Sequence, residues 1–242
     1  MNGRRTLPLL TAAAALFLIS GRIVSGDFLP SMGEDIHELL SREPLLAIGI
    51  GIPVTAAALV LEDPAGNPGF MGDGFLDDAS LVCHHSMGLP LLGASAALWG
   101  AGSLDGSGGT EETGQMLTEG LLLTYGVAGV LKLGTARERP DGSSHRSFPS
   151  VHAAGTACAA VILWDRYGAG AGVPAAALSV FTALSRVHMG KHYPSDVLAG
   201  AAIGVSVGLA VAGAHCDEAG SPRVQPSLGV RWSSDRGFGV YF

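Results

Sequence analysis

Apolar residues fall in long blocks separated by short polar stretches, and no block before residue 220 alternates with a period of two. Six blocks have helical length: Leu45–Leu61, Leu89–Gly100, about Gly114–Leu133, His152–Tyr167, Val173–Val187 and Asp196–Ala214. Asp35, Ile36, Leu39 and Leu40 add a short amphipathic helix within residues 27–44, and a polar helix is predicted around Phe75–Met87. Pro53 should kink the first long helix, because a ring replaces a backbone N–H there. Residues 62–80, 101–113 and Asp165 to Gly172, rich in Gly, Pro, Asp or Ser, are predicted as loops or turns. The pattern predicts an all-α fold, a helical bundle of about six main helices. After Pro222 and Pro226, Leu228, Val230 and Trp232 alternate with other residues, as do Phe238, Val240 and Phe242. With Ser233–Gly237 as the turn, this predicts a short C-terminal β-hairpin tail.

The first 26 residues have a different logic. Arg4 and Arg5 precede an apolar run, Leu7–Ile19, and small residues follow to Val24-Ser25-Gly26. This is the three-part pattern of a secretory signal peptide, and the run is short of the roughly 20 residues of a membrane span. The chain is therefore divided into an export segment at 1–26 (or an uncleaved N-terminal anchor), a helical domain at 27–214 and a tail at 215–242. The later apolar blocks are near the lower length limit for spanning and are diluted by Ala, Gly and Ser. With a cleaved signal, helix counting would put the two basic loops described below on the cytoplasmic side, at odds with export. A globular or peripheral bundle in the periplasm or cell envelope removes that conflict and is the expectation, with an integral inner-membrane protein as the alternative.

Composition narrows the partners. The 242 residues are 48% hydrophobic and 14% charged, and the 36 glycines suit closely packed helices. A net charge of −7 argues against nucleic acid as a partner. Cys83, Cys158 and Cys216 show no metal-binding spacing and are read as small buried hydrophobes, with any disulfide pairing left open. His84 and His85 are adjacent, and adjacent helical positions face apart, so no metal site is expected from them. Nothing in the sequence implies a cofactor or metal.

The chemistry is concentrated in one stretch. No Lys or Arg occurs from Glu43 to Leu131, and then Lys132, Arg137, Arg139 and Arg146 arrive in LKLGTARERPDGSSHRSFPSVH. The stretch ends in Pro149-Ser150-Val151-His152, where an Ala-rich helix begins. Cations beside a helix N-terminus favour an anion, since free N–H groups and the helix dipole point at it. A second loop, Ser185 to Asp196, supplies Arg186, His192 and Asp196. Lys132, Arg139 and Arg186 can neutralise a phosphoryl group, the two arginines through planar forks that match its oxygens. Ser150 can cap the helix that starts near His152. His192 can attack phosphorus, with Asp196 orienting its ring, and His152 can protonate the departing alkoxide and later activate water. Arg137, His145, Arg146, His188 and Lys191 share these loops and are read either as substrate contacts or as solvated loop residues. Lys191 would help keep His192 neutral, and Trp164 is read as packing.

Three patches, Lys132 with Arg139-Pro140, Pro149-Ser150-Val151-His152, and Ser185-Arg186 with His192 and Asp196, resemble the signature of the type 2 phosphatidic acid phosphatase / vanadium haloperoxidase superfamily, over roughly residues 88–214. Val151 stands where the family pattern usually has Gly; only its backbone N–H is needed for phosphate. The resemblance implies a helical bundle with the active site at one end, phosphate held by Lys132, Arg139, Ser150, Val151 and Arg186, and catalysis by His192, His152 and Asp196 without a metal. It further implies a phosphatase hydrolysing phosphate monoesters, as acid phosphatases and phosphatidic acid phosphatases do, by double displacement through a phosphohistidine. The substrate would be a phosphorylated lipid, with membrane association, or a small phosphate ester. The competing readings are a vanadate-dependent haloperoxidase and a non-catalytic phosphate- or lipid-binding envelope protein.

Overall fold

A computed structural model of the chain describes residues 28–62 and 74–216, together with the backbone of 229–233 and 237–241. The expected export segment lies outside the described residues. Eight helices follow in order: α1 Phe28–Glu38, α2 Arg42–Leu61, α3 Phe75–Ser86, α4 Leu89–Asp105, α5 Gly108–Thr135, α6 Val151–Tyr167, α7 Ala169–His188 and α8 Pro194–Ala214. The six long apolar blocks are α2 and α4 through α8, and the two weaker helices are α1 and α3. The stretch 101–113, expected as a loop, is mostly helical. Its glycines serve a helix crossing: a Cβ on Gly102 would lie 2.3 Å from the backbone of Glu111, and one on Gly114 would lie 2.2 Å from that of Trp99. Both would collide with main chain, so α4 and α5 meet only because these residues have no side chain.

The same device sets the centre of the bundle. A Cβ on Gly200 would lie 2.4 Å from the Ser150 carbonyl oxygen, and one on Gly204 would lie 2.0 Å from that of Ala154. The small residues on α8 let its backbone lie against α6, and the start of α6 is thereby fixed beside the start of α8: Ser150 N–H donates to the Asp196 carbonyl at 2.9 Å. Met116, Leu117, Cys158, Ile162, Val207 and Val211 fill the core between α5, α6 and α8. Cys83 and Cys158 are buried free thiols, and Cys216 is half-buried.

The outside of the bundle is apolar. On α2, Ile50, Ile52, Val60 and Leu61 are all exposed, the last two at 84%. α2 has a mean hydropathy of 2.2, yet only 11% of its apolar window is buried. A helix that is apolar all round and uncovered by protein needs lipid around it. α2, α5, α7 and α8 are each long and apolar enough to cross a membrane, and α3 with α4, bent by 58° at their junction, makes a possible fifth crossing. This exterior suits a membrane protein and argues against the expected globular or peripheral bundle.

The fold class needs one correction. The described body is all-α, and no strand belongs to it, so the expected C-terminal β-hairpin is not an element of this fold. Residues 217–228, 234–236 and 242 lie outside the described residues. Among the described residues, the extended backbone of Gly229–Ser233 and Gly237–Tyr241 pairs with itself and with no third strand. Two isolated strands are marginal by themselves, and alternation of apolar residues is not enough to add a structural layer.

Candidate active site

The residues singled out in the two basic loops gather at one end of the bundle, where α5 and α7 finish and α6 and α8 begin. Lys132 is in the last turn of α5, and Ala136 ends that helix in the left-handed region at φ 43°. The connection then folds on itself: Arg139 N–H donates to Ser144 O at 3.0 Å, and Ser147 N–H to Arg137 O at 2.9 Å. Lys132 Nζ donates to the Arg146 carbonyl at 2.7 Å and to that of Ser147 at 3.3 Å, which ties the helix end to the far side of the loop. Ser150 is buried and is the N-cap of α6, its Oγ 3.5 Å from Ala153 N. The first N–H groups of α6, that of Val151 included, have no partner within the helix by its geometry.

The second loop is clipped to the first. Asp141 N–H donates to Gly190 O at 3.1 Å, and Lys191 Nζ pairs with Asp141. Lys191 is therefore engaged between the loops. His188 Nε2 lies 2.8 Å from Asp77 Oδ1, and His145 and Arg146 are exposed. His192 is only 3% exposed, and its Nδ1 lies 3.6 Å from Asp196 Oδ2. That is longer than a hydrogen bond, but the carboxylate is on the expected side of the ring. Asp196 is held firmly. Its Oδ2 accepts from Tyr193 N–H at 2.9 Å and from Ser147 Oγ, and its Oδ1 accepts from Arg137 Nη1 at 2.8 Å.

His152 faces the same end. Its Nε2 lies 3.2 Å from the His84 carbonyl oxygen, and its ring stacks on that of His84 at 5.7 Å between centroids. Arg186, 1% exposed, has its Nη1 2.8 Å from His84 Nδ1. Burial lowers the His192 pKa, opposed by its contact with Asp196 and reinforced by Lys132 and Arg139. Burial also pushes His152 down, to about 4, with Arg186 next in effect and His192 contributing. Each imidazole thus senses the cations of the other loop. Both shifts favour the neutral ring. Among the described residues, Arg139 Nε, Arg186 Nε and His192 Nδ1 are buried with no hydrogen-bond partner in the protein. Buried polar groups are rarely left so; His192 Nδ1 is turned toward Asp196, and the two arginine Nε groups at one end fit a site for an oxyanion.

Four contributors escaped the sequence reading. Arg137, read as either a substrate contact or a solvated loop residue, instead forks between α2 and α8. Its Nη2 pairs with Glu62, its Nη1 donates to Ser195 Oγ at 2.7 Å as well as to Asp196, and its guanidinium lies 4.1 Å from the Tyr193 ring centroid. Glu62, Ser147 and His84 belong to no motif, and no local signal marks them.

Residues 116–217 match the model of the PAP2 superfamily. This stretch is a PAP2 domain. It contains every expected site residue. The chain is similar to lipid A 1-phosphatase of Porphyromonas gingivalis, 35% identical over 107 residues, 42% of this chain and 24% of that protein. Decaprenylphosphoryl-5-phosphoribose phosphatase of Mycobacterium tuberculosis is 37% identical over 102 residues, 38% of this chain and 55% of that protein. Lipid A 4'-phosphatase of Helicobacter pylori is 35% identical over 98 residues, covering 37% and 48%. The chain thus spans between about a quarter and about half the length of these curated relatives. No solved structure matches it. The PAP2 domain begins within α5, so α1 to α4, with Glu62 and His84, are supplied from outside the matched stretch.

Proposed function

We propose that this protein is a phosphoric monoester hydrolase acting on a phosphorylated lipid, by double displacement through His192. The observation that carries the reading is the gathering of two imidazoles and three cationic side chains at one end of an apolar bundle. Since Asp196 faces Nδ1, the nucleophile is His192 Nε2. Attack forms the N–P bond and breaks the P–O ester bond, and His152 gives its proton to the departing alkoxide. Water then attacks phosphorus, His152 takes the water's proton, and the N–P bond breaks to release phosphate. Lys132, Arg139, Arg186, the Ser150 hydroxyl and the N–H of Val151 hold the equatorial oxygens, where charge builds up in the transition state. The names of the relatives and the lipid-facing exterior both favour a lipid phosphate over a water-soluble ester.

The test is phosphate release by the full chain in detergent micelles, over a panel of lipid phosphates and water-soluble esters. Hydrolysis of at least one lipid phosphate, with kcat/KM at least about tenfold above p-nitrophenyl phosphate, is expected from the extra binding of an apolar chain. Turnover of soluble esters alone would remove the lipid assignment, and turnover of none would remove the hydrolase. An envelope location, suggested by residues 1–26, belongs to the same proposal; recovery of the chain with alkali-washed envelope membranes is the expected result.

The pH profile follows from the two histidines. The reaction needs His192 neutral and His152 protonated, and both are held below the ordinary histidine value. For the free enzyme, kcat/KM therefore peaks on the acid side of about 6.5. A bound phosphate dianion offsets the cations that depress His152, raising it, so the alkaline limb of kcat lies at higher pH than that of kcat/KM. Phosphate or vanadate binding between those limbs takes up a proton, which calorimetry in buffers of different ionisation heat measures. Coincident limbs with no proton uptake would refute the role given to His152.

Arg137 acts through Asp196, so its loss should affect turnover more than binding. Arg137→Ala lowers kcat by roughly 10–100-fold, as removing an orienting partner does elsewhere, and leaves KM within about threefold. Arg137→Lys recovers only part of this, since an ammonium cannot span Glu62, Ser195 and Asp196 at once. An unchanged kcat with a raised KM would instead make Arg137 a substrate contact.

A further inference from the structure

A second cluster is buried away from the site just described. Asp35 on α1, Glu119 on α5 and His215 at the end of α8 each turn one metal-ligating atom inward, and these atoms all lie within 4.8 Å of one another. Glu119 is roughly 20 Å along α5 from Lys132, at about 1.5 Å per residue. Asp35 and Glu119 are fully buried, and His215 is 9% exposed.

The surroundings are organised as for a metal ligand set. His215 Nε2 lies 3.1 Å from Glu119 Oε2, while its other nitrogen faces Glu112 Oε1 at 3.6 Å. Glu112 is itself held by Arg166 Nη1 at 2.7 Å. A carboxylate behind Nδ1 favours the tautomer that turns the Nε2 lone pair inward, the arrangement found behind metal-bound histidines. Gln115 Nε2 donates to Glu119 Oε1 at 2.9 Å, which orients that carboxylate and leaves its other oxygen facing His215. Asp35 is decisive. Both of its carboxylate oxygens are buried and have no hydrogen-bond partner among the described residues. A buried carboxylate with no hydrogen-bond donor is costly, and two of them beside a single imidazole carry more negative charge than that ring can balance.

We propose that Asp35, Glu119 and His215 bind one divalent first-row metal ion, of the Zn2+ or Mn2+ class, at the end of the bundle opposite the phosphate site. Two carboxylates and one imidazole suit such an ion, which balances both negative charges. The site joins α1 to α5 and α8, so its role is to fasten the N-terminal helix to the bundle. It stands independently of the phosphatase reading.

The test uses the full chain in detergent, stripped with chelator, loaded with Zn2+ or Mn2+, desalted and analysed by plasma mass spectrometry. About one ion per chain is expected, with a rise in Tm on loading, because a ligand of the native state stabilises it. Asp35→Asn and His215→Gln should each lower occupancy at least ~10-fold and abolish the rise in Tm, while phosphate release is unchanged. The wild-type measurement decides even if a variant fails to fold. No retained ion in wild-type protein whose helical circular dichroism is intact would overturn the proposal, as would equal binding by Asp35→Asn. A carboxylic acid infrared band in metal-loaded wild type that disappears in Asp35→Asn would also overturn it, showing that a proton shared with Glu119 takes the place of the metal.

Discussion

His192→Ala should lower kcat for a lipid phosphate by at least about 10³-fold, because it removes the atom that forms the covalent intermediate. The loss should fall on turnover and spare the anion. Lys132, Arg139 and Arg186 remain, so vanadate or inorganic phosphate should still bind within about tenfold of wild type. The intermediate gives an independent readout. Wild type quenched during turnover should carry phosphate that is acid-labile and alkali-stable, the behaviour of a phosphoramidate, and His192→Ala should carry none. His192 is nearly fully buried, so the variant loses packing as well, and its Tm must be checked to separate a lost nucleophile from a lost fold. A folded variant that keeps more than about a tenth of the wild-type rate would exclude His192 as nucleophile. His152 or a directly activated water would then have to serve, and the orientation of Asp196 toward Nδ1 would need another explanation.

How much of this could be read beforehand follows from how far apart the interacting residues are in sequence. The proposed phosphate-binding residues could be picked out beforehand because each patch is local: a helix end, a short loop and a cap place Lys132, Arg139 and Ser150 with little help from the rest of the chain. The long helices were legible for a similar reason, since block length alone marks them. The supporting residues were not. Glu62 meets Arg137 across 75 positions, Ser147 meets Asp196 across 49, and His84 meets Arg186 across 102. Only the packing of α2, α3 and α7 around the centre brings them in, so spacing carries no trace of them. The surroundings of the bundle were misjudged for a different physical reason. A uniformly apolar helix such as α2 has the same sequence whether its sides meet protein or lipid, and its 11% burial is a property of the assembled molecule. The tail shows the converse error, in which a local alternation is given a structural weight that only neighbouring strands can supply.

Arg186→Ala should produce the other large effect, a loss of about 10³-fold in kcat/KM. Arg186 is 1% exposed at the end of α7, with Nη1 against His84 Nδ1, Nη2 near Ser80 O and Met189 Sδ, and Nε free of any protein partner. Donors aimed at developing charge in a water-poor site are worth roughly 2.7–4 kcal/mol each, and one held in place from three directions has little reorganisation left to undergo. Arg186→Lys keeps the charge but not the planar fork, so it should recover no more than about tenfold of the loss. A merely structural arginine could show the same rates if the bundle loosened, and the pH profile separates the two cases. After burial, Arg186 is the strongest influence holding His152 down. Removing the cation should raise His152 toward its ordinary value, so the alkaline limb of kcat/KM moves to higher pH in Arg186→Ala and stays nearly in place in Arg186→Lys. If the rate falls in both variants while the limb moves in neither, Arg186 supports the fold of the loop without facing the anion, and the phosphate must be held by Lys132, Arg139 and the start of α6 alone.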